Sequence, residues 1–553
     1  MHDILLLNIV RDNSLSSSFL DSLGQYSIAS YLELHGYEAR VFSGRTSEVK
    51  KVVSSELKQG IVAVGLYISS DNFNISRNII KWLKNTYEIK VIAGGPEAVS
   101  CNEGFMKDTM CDGVIESEGE EPVKQFLDYV YNDTVLSDIP NLKYIDENGE
   151  FHANPVVFYV EELDSVPFPN RKHSLNSRFR MGNMVGIITG RGCPFSCSFC
   201  YEGANSKRVR FRSIENVMAE IDNIISFNPD LTVINIYDDT FTLKKERVYE
   251  FCDEIKKRNV FWICEAHVSN ILKYPEMIRY MVDSNLIGVQ IGIESGSDKV
   301  LKAYNKNTSA SDILNVVKIC KSAGLSSLAG NFIIGGAFES EDTFNESLSL
   351  AKEMIKAGRA MFECRSVFMA PYPNTKISKS PESFGLHPNN ELISHSIYTM
   401  HNPVMSTDSL SIDDIVAMRE KFNREIEQTY FEQSKYCTRQ ELQNSFFKNG
   451  KMLNRLFTWN EFYEKHEHIN CFIKNALYDN VKYNVHLFPV RTFCEPNYID
   501  NFDVSSIEKS FLLFCDGRHS IIDISKELFL RPLQIERMYY RLRERCLVYL
   551  SEF

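Results

Sequence analysis

Strand-like and helix-like segments alternate in two successive rounds along most of this 553-residue chain, which restricts it to α/β architectures built on parallel sheets. In the first round, short apolar runs stand at 4–10, 39–43, 61–68, 90–93 and 113–115. Helical periodicity lies between them over 25–35, ending at Gly36, and over 74–83. The pattern predicts a doubly wound, Rossmann-like domain over residues 1–145, with ligands beyond the carboxyl ends of its strands. In the second round, strands are expected at 184–189, 233–237, 261–266, 287–293, 327–334 and 361–369, most of them ending in polar residues. Six such units make a partial (β/α)6 TIM barrel over 181–400, whose chemistry belongs at the carboxyl face. A linker over 146–180 is expected between the two.

A chain of this length exceeds one hydrophobic core. Its net charge of −12 argues against a general nucleic-acid binder, which usually shows a basic face. No apolar run approaches the ~20 residues needed to cross a bilayer, so no membrane partner is expected. The apolar stretch 4–7 follows Asp3, where a signal peptide would carry positive charge, and it reads as a buried first strand. Fourteen cysteines without a secretory signal suit a reduced, cytoplasmic protein.

Three of those cysteines stand together in Gly190-Arg191-Gly192-Cys193-Pro194-Phe195-Ser196-Cys197-Ser198-Phe199-Cys200. Gaps of three and two residues let one short loop wrap a cubane with three thiolates and leave its fourth iron without a protein ligand. The zinc alternative needs a fourth ligand at short spacing, and none follows within the next fifty residues. The triplet, with Phe199 before its last cysteine, resembles the radical S-adenosylmethionine superfamily. The resemblance implies a [4Fe–4S] cluster on Cys193, Cys197 and Cys200. S-adenosylmethionine would chelate the open iron, and a one-electron reductant of flavodoxin or ferredoxin type would drive its cleavage to a 5′-deoxyadenosyl radical.

It also implies roles for the strand ends. Asp238, Asp239 and Thr240 stand where the superfamily contacts the methionine moiety, Glu294 and Ser295 where it contacts the ribose, and Asn331 and Ile333 on the strand that lines the adenine. Each carboxylate, taken alone, also reads as a solvated loop end, and His267 as a rim residue. Tyr372-Pro373-Asn374-Thr375 resembles the turn that closes the barrel, with Asn374 in place of glycine, a mild departure because Asn tolerates the left-handed region. Glu339 falls one residue late for the superfamily's adenine-strand pattern.

In the first domain, Gly94-Gly95-Pro96-Glu97 follows the fourth strand and Glu118-Gly119-Glu120 the fifth. A tight turn explains the glycine pair as well as a ligand does. The arrangement resembles the cobalamin-binding domain that precedes the barrel in many radical S-adenosylmethionine enzymes, and these residues are its expected contacts. The stretch 8–23 contains no histidine to ligate cobalt, so the loop carrying Tyr67, Ser69 and Ser70 is expected against the lower face.

Beyond the barrel, a helix is expected from about 411 to 433, within a helical extension over 401–500 whose segment 437–500 suggests no role. Residues 501–553 read as a winged-helix-like module, with helices over 507–515, 521–528 and 533–545 and a strand over 547–550. Arg531, Arg537, Arg541, Arg543 and Arg545 would suit DNA, but Glu536 and Glu544 interrupt them. The stretch 513–521 resembles the peptide-recognition modules of ribosomal-peptide maturases, so substrate docking or plain packing is preferred over DNA.

Taken together, residues 1–400 resemble the cobalamin-dependent radical S-adenosylmethionine enzymes. The implied function is methyl transfer to an unactivated carbon of a small-molecule or peptide substrate. Two alternatives stay open: a non-methylating rearrangement, cyclisation or ring contraction, and an iron–sulfur redox-sensing regulator that binds peptide or DNA.

Overall fold

The computed structural model describes residues 2–10, 22–175, 184–228, 231–395, 402–434, 436, 441, 483–491, 504–544 and 547–551. Its first sheet has seven strands: β1 Ile4–Val10, β2 Ala39–Arg45, β3 Ala63–Tyr67, β4 Lys90–Gly94, β5 Gly113–Ile115, β6 Leu142–Ile145 and β7 Phe151–Ala153. They lie in the order β2-β1-β3-β4-β5-β6-β7, parallel through β5 and antiparallel for the last two. Strand β1 is apolar throughout because both of its faces are covered. Leu5, Leu7 and Ile9 enter one core, while Ile4 and Leu6 enter the other.

The sheet runs on past residue 145, into the stretch expected to be linker. Strand β7 pairs with β6 through Tyr144 and His152, across a turn in which Gly149 takes φ +83° and Asp146 accepts the Asn148 and Glu150 N–H groups. The Asn148-Gly149 step is a hairpin signal. The rest of that stretch is also anchored. Ser174 bridges to Val41, the Asn170 N–H donates to Ser30 Oγ, and Arg171 Nη2 donates to the Gly186 carbonyl at 2.7 Å.

The second sheet carries six parallel strands: β8 Met184–Ile187, β11 Val233–Ile236, β12 Phe261–Ala266, β13 Leu286–Glu294, β14 Ser327–Ile334 and β15 Phe362–Phe368, each beside its predecessor. A small hairpin, β9 Gly190–Arg191 with β10 Arg210–Phe211, brackets the cysteine loop. Alternation along the strands divides their residues. Ile234, Ile236, Trp262, Cys264, Ile291, Leu328, Phe332 and Cys364 face the outer helices. Asn235, Glu265, Gln290, Asn331 and Arg365 fall on the opposite, lumen side, where they are only partly covered or exposed.

Helix Ile412–Ser434 covers the open edge of the barrel at β15. Tyr430 Oη accepts the Cys364 N–H at 2.8 Å and donates to the Phe362 carbonyl at 2.9 Å, and Phe422 packs on Phe332 at 5.2 Å between ring centroids. A last hairpin, β16 Leu386–Pro388 with β17 Met405–Thr407, precedes that helix.

The C-terminal unit has helices Ser506–Phe514, Ile521–Glu527 and Pro532–Glu544 around a core of Phe511, Leu512, Ile524, Ile535, Tyr539 and Leu542. Its β19 Val548–Ser551 pairs antiparallel with β18 Phe488–Arg491. The wing partner thus lies before residue 501, in the segment without an expected role. Arg541 is taken up by Glu508 at 2.7 Å, and Arg545 lies outside the described residues. Among the described residues no helix is long and apolar enough to cross a membrane.

Candidate functional site

The cysteine loop leaves the carboxyl end of β8, and its shape is set by backbone. Gly192 holds φ +92°, and a Cβ there would collide with the Arg208 and Ser206 carbonyls. The Cys193 N–H donates to the Ser206 carbonyl at 2.8 Å and the Cys200 N–H to the Cys197 carbonyl at 3.2 Å. The Ser198 N–H donates to the Tyr304 carbonyl at 3.0 Å, and the Ile377 N–H to the Ser198 carbonyl at 3.1 Å. The loop is therefore seated on two neighbouring segments of the barrel rim.

Its three thiols are free and within electrostatic reach of one another. Burial raises all three, Cys200 up to about 12, and Cys193 and Cys197 each push Cys200 further. Among the described residues, no three His, Cys, Asp or Glu side chains gather closely enough to hold a single ion. Three thiols on one short loop, at gaps of three and two residues, match the wrapping of a cubane that keeps one iron open.

The expected cosubstrate residues divide into two groups. Asp238 is buried and committed: Oδ1 accepts the Thr189 N–H at 2.6 Å and the Gly190 N–H at 3.0 Å, and Oδ2 accepts Thr189 Oγ1 at 2.5 Å. It locks β8 into the cysteine loop. Ser295 is 1% exposed, and its Oγ meets Ser347 Oγ and the Ser297 N–H, so it braces a loop. Asp239, Thr240 and Glu294 stand near the cysteines, Ile333 packs with Phe199 of the cysteine loop, and Asn331 lies on the lumen side of β14.

Thr240 Oγ1 stands 3.9 Å from Cys193 Sγ, and Asp239 accepts the Gly192 N–H at 3.1 Å. Burial, then neighbouring Asp238, pushes Asp239 up to about 6. Ile333 and Phe199 belong to one apolar cluster with Tyr304, and the Phe199 and Tyr304 rings meet edge to face at 5.0 Å. Glu294 sits at φ +67° on a register slip of β13 and pairs with Lys306 Nζ at 2.9 Å.

His267 is a rim residue. It stacks on Phe195 at 3.8 Å, its Nδ1 accepts the Ser269 N–H at the start of helix Val268–Lys273, and burial, then Lys306, pushes it down to about 3. Asn374 takes φ +63° and donates to Asn205 Oδ1, so the departure from glycine is accommodated. Glu339, one place late, caps its own turn by accepting the Gly335 and Gly336 N–H groups.

The carboxyl end of the first sheet faces the cysteine loop. Tyr67 ends β3, Tyr201 follows Cys200, and Tyr372 lies in the closing turn. The carboxylates Asp71, Glu97 and Glu202 stand within electrostatic range of them. Burial and those acids push Tyr67 and Tyr372 up to about 12, so both stay neutral phenols. Gly95 holds φ +112° with no room for a Cβ beside the Ile68 carbonyl, and Glu97 is buried behind it. Ser69 and Ser70 remain half-buried at the same end.

Glu118 and Glu120 are both engaged in ion pairs. Arg210 clasps Glu118 at 2.5 and 3.1 Å, while Arg191 reaches Glu120 at 2.6 Å and Glu118 at 3.3 Å. Burial alone would raise Glu120, yet Arg191 and Ser27 hold it below the usual carboxylate range. These acids rivet the first sheet to the hairpin that carries the cysteines, and Gly119 between them packs against Ile28.

Four residues went unnoticed in the sequence: Lys306, Glu202, Glu265 and Arg365. Glu265 lies on the lumen side, reached by solvent and bonded to Gln290 Nε2 at 2.9 Å; enclosure by the surrounding barrel wall, then Asp239 and Glu294, pushes it up to about 7. Its signal was a single polar residue inside an otherwise apolar strand, two positions from the next lumen-facing residue.

Residues 187–351 match the Radical SAM superfamily. The matched segment lies within the arrangement of that class, a six-stranded parallel half-barrel with three cysteines on the loop after its first strand: residues 187–351 form a Radical SAM domain. The chain's fold is that of the cobalamin-dependent members. It superposes on the methyltransferase TsrM from Kitasatospora setae, solved with cobalamin and a [4Fe–4S] cluster, with a TM-score of 0.60 at 13% identity, covering 86% of this chain and 100% of that one. On OxsB, solved with aqua-cobalamin and S-adenosylmethionine, the TM-score is 0.57 at 15% identity over 98% and 80% of the two chains.

In sequence the chain is 28% identical over 367 residues to an uncharacterized methyltransferase of Pyrococcus horikoshii, covering 65% of this chain and 77% of that protein. It is 23% identical over 352 residues to the anaerobic magnesium-protoporphyrin IX monomethyl ester cyclase of Rubrivivax gelatinosus, covering 59% of this chain and 61% of the cyclase.

Proposed function

We propose that this protein is a cobalamin-dependent methyltransferase acting on an unactivated carbon of a small-molecule or peptide substrate. The observation that carries the reading is the meeting of two surfaces: the carboxyl end of a doubly wound sheet and a three-thiol loop on a half-barrel rim. Cys193, Cys197 and Cys200 hold the [4Fe–4S] cluster. Asp239, Thr240, Glu294, Asn331, Ile333 and Phe199 line the S-adenosylmethionine site. Tyr67, Ser69, Ser70, Gly94, Gly95, Pro96 and Glu97 line the cobalamin site. Bound together, these groups supply a 5′-deoxyadenosyl radical and a transferable methyl group.

The chain's own part is placement. Asp238 fixes the strand that presents the loop, and the Glu118–Arg210 and Glu120–Arg191 pairs fix the distance between the two surfaces. The neutral phenols of Tyr67 and Tyr372 give the cleft hydrogen-bonding walls without added charge. The polar lumen of Asn235, Glu265, Gln290 and Arg365 receives the substrate. The reaction draws its electron from a flavodoxin- or ferredoxin-type donor, in keeping with a reducing, cytoplasmic setting.

The test is anaerobic incubation of the reconstituted, cobalamin-loaded chain with reductant and S-adenosylmethionine. It should yield 5′-deoxyadenosine, with S-adenosylhomocysteine once a substrate is methylated. Cys197→Ala should lose the broad iron–sulfur absorbance and the deoxyadenosine while keeping the far-ultraviolet dichroism of the parent. Deoxyadenosine from the Ala variant at the parent's rate contradicts the assignment.

A further inference from the structure

We infer that Lys306 is a positioning residue of this site, fixing Glu294 across the β13 bulge and holding a positive charge beside the cysteine loop that raises the reduction potential of the bound cluster. The inference rests on the cluster assignment above and adds a residue that no motif singles out.

The geometry begins in the loop. Ser198 Oγ donates to the Ala303 carbonyl at 2.9 Å, the Ser198 N–H to the Tyr304 carbonyl at 3.0 Å, and Asn305 Nδ2 to the Ser196 carbonyl at 3.0 Å. The segment 303–305 is thus the bench on which the loop between Cys193 and Cys200 rests. Asn305 then takes φ +57°, a reversal that Asn makes at little cost, and the next residue is Lys306. Its ammonium donates to Glu294 Oε1 at 2.9 Å and to the Gly292 carbonyl at 3.1 Å. Lysine and glutamate side chains are 6% and 9% exposed.

Those two bonds span the register slip between Gly292 and Glu294, where the glutamate is held in the left-handed region. A Cβ at Gly292 would strike both the Glu294 carboxylate and Lys306 Nζ, so the pair packs directly on backbone.

Glu294 is in contact with Lys306, and the Cys197 and Cys200 thiols stand within electrostatic range. His267 is also in range and stays neutral. The Glu294 carboxylate and the Gly292 carbonyl together hold the ammonium in place beside the bench that carries the loop. A buried ion pair adds little to stability by itself. In a low-dielectric setting, however, a fixed cation near a cluster favours the form carrying one more electron.

The experiment is an EPR-monitored redox titration of the anaerobically reconstituted full chain, comparing the parent with Lys306→Met, Lys306→Arg and Glu294→Gln. The Met variant should keep its iron and sulfide content and titrate at a more negative potential. The Arg variant should titrate close to the parent, and the Gln variant, which leaves the cation uncompensated, at a more positive potential. Should the Met variant hold no cluster, the sign of the Gln shift decides. A Met variant with an intact cluster and the parent's potential overturns the inference, as do Met and Gln shifts of the same sign. A parent chain that takes up no cluster contradicts the functional reading instead.

Discussion

A single carboxylate can read as a ligand in the sequence and turn out to be a strut in the fold. Asp238 and Asp239 are neighbours on one strand end, yet alternation sends the first into the β8 backbone and leaves the second beside Cys193 and Thr240. The motif was legible, but the division of labour within it was not, because both oxygens of Asp238 are claimed by residues nearly fifty positions away. His267 carries a measurable consequence at this scale. Its folded-state value of about 3 lies far below the ordinary histidine value of about 6.5. A depressed value means that stability is complete above the unfolded value and declines as pH falls toward the folded one. Between pH 7 and 5 the cluster-free protein should therefore lose up to ~2 kcal/mol through this residue. His267→Asn, which keeps a helix-capping acceptor, should remove that component in urea titrations at the two pH values. Equal acid sensitivity of the two proteins would contradict the assignment of His267 as buried and neutral.

At the scale of elements, the regular strands were legible because their apolar runs have no other reading once helices of amphipathic period separate them. Five parallel strands of the first sheet and all six of the second fall where the alternation puts them. What escaped were pairings made by very short strands. β9 and β10 have two residues each, and β18 reaches β19 across some sixty intervening residues; neither has a local signature. The turn between Gly190 and Cys193 depends on one such feature. Gly192→Ala would require a left-handed alanine, at a cost of ~1–2 kcal/mol, and would drive its Cβ onto the Arg208 carbonyl. That variant should lower the iron bound per chain after reconstitution several-fold while leaving helix content unchanged; full iron content would show that the loop tolerates a different path.

At the scale of the whole molecule, two α/β units are joined by charge across an interface that composition could not foretell. Arg191 is the central cation of that joint, with Glu118 and Glu120 both committed to it. Arg191→Met leaves Glu120 buried without its guanidinium, and breaking such a pair costs ~3–5 kcal/mol. The thermal midpoint should fall at neutral pH. Because Glu120 is held below the usual range, the gap to the parent should close as pH drops through and below about 4.3. A gap that persists undiminished in acid would mean the arginine acts through packing alone.

The central claim is an iron corner left open by three sulfurs, and it is tested most directly by the EPR spectrum of the dithionite-reduced, reconstituted protein before and after S-adenosylmethionine is added. Coordination of the amino and carboxylate groups to that iron should shift the g values of the reduced cluster. A spectrum unmoved by saturating S-adenosylmethionine, with the cluster intact, would contradict the account.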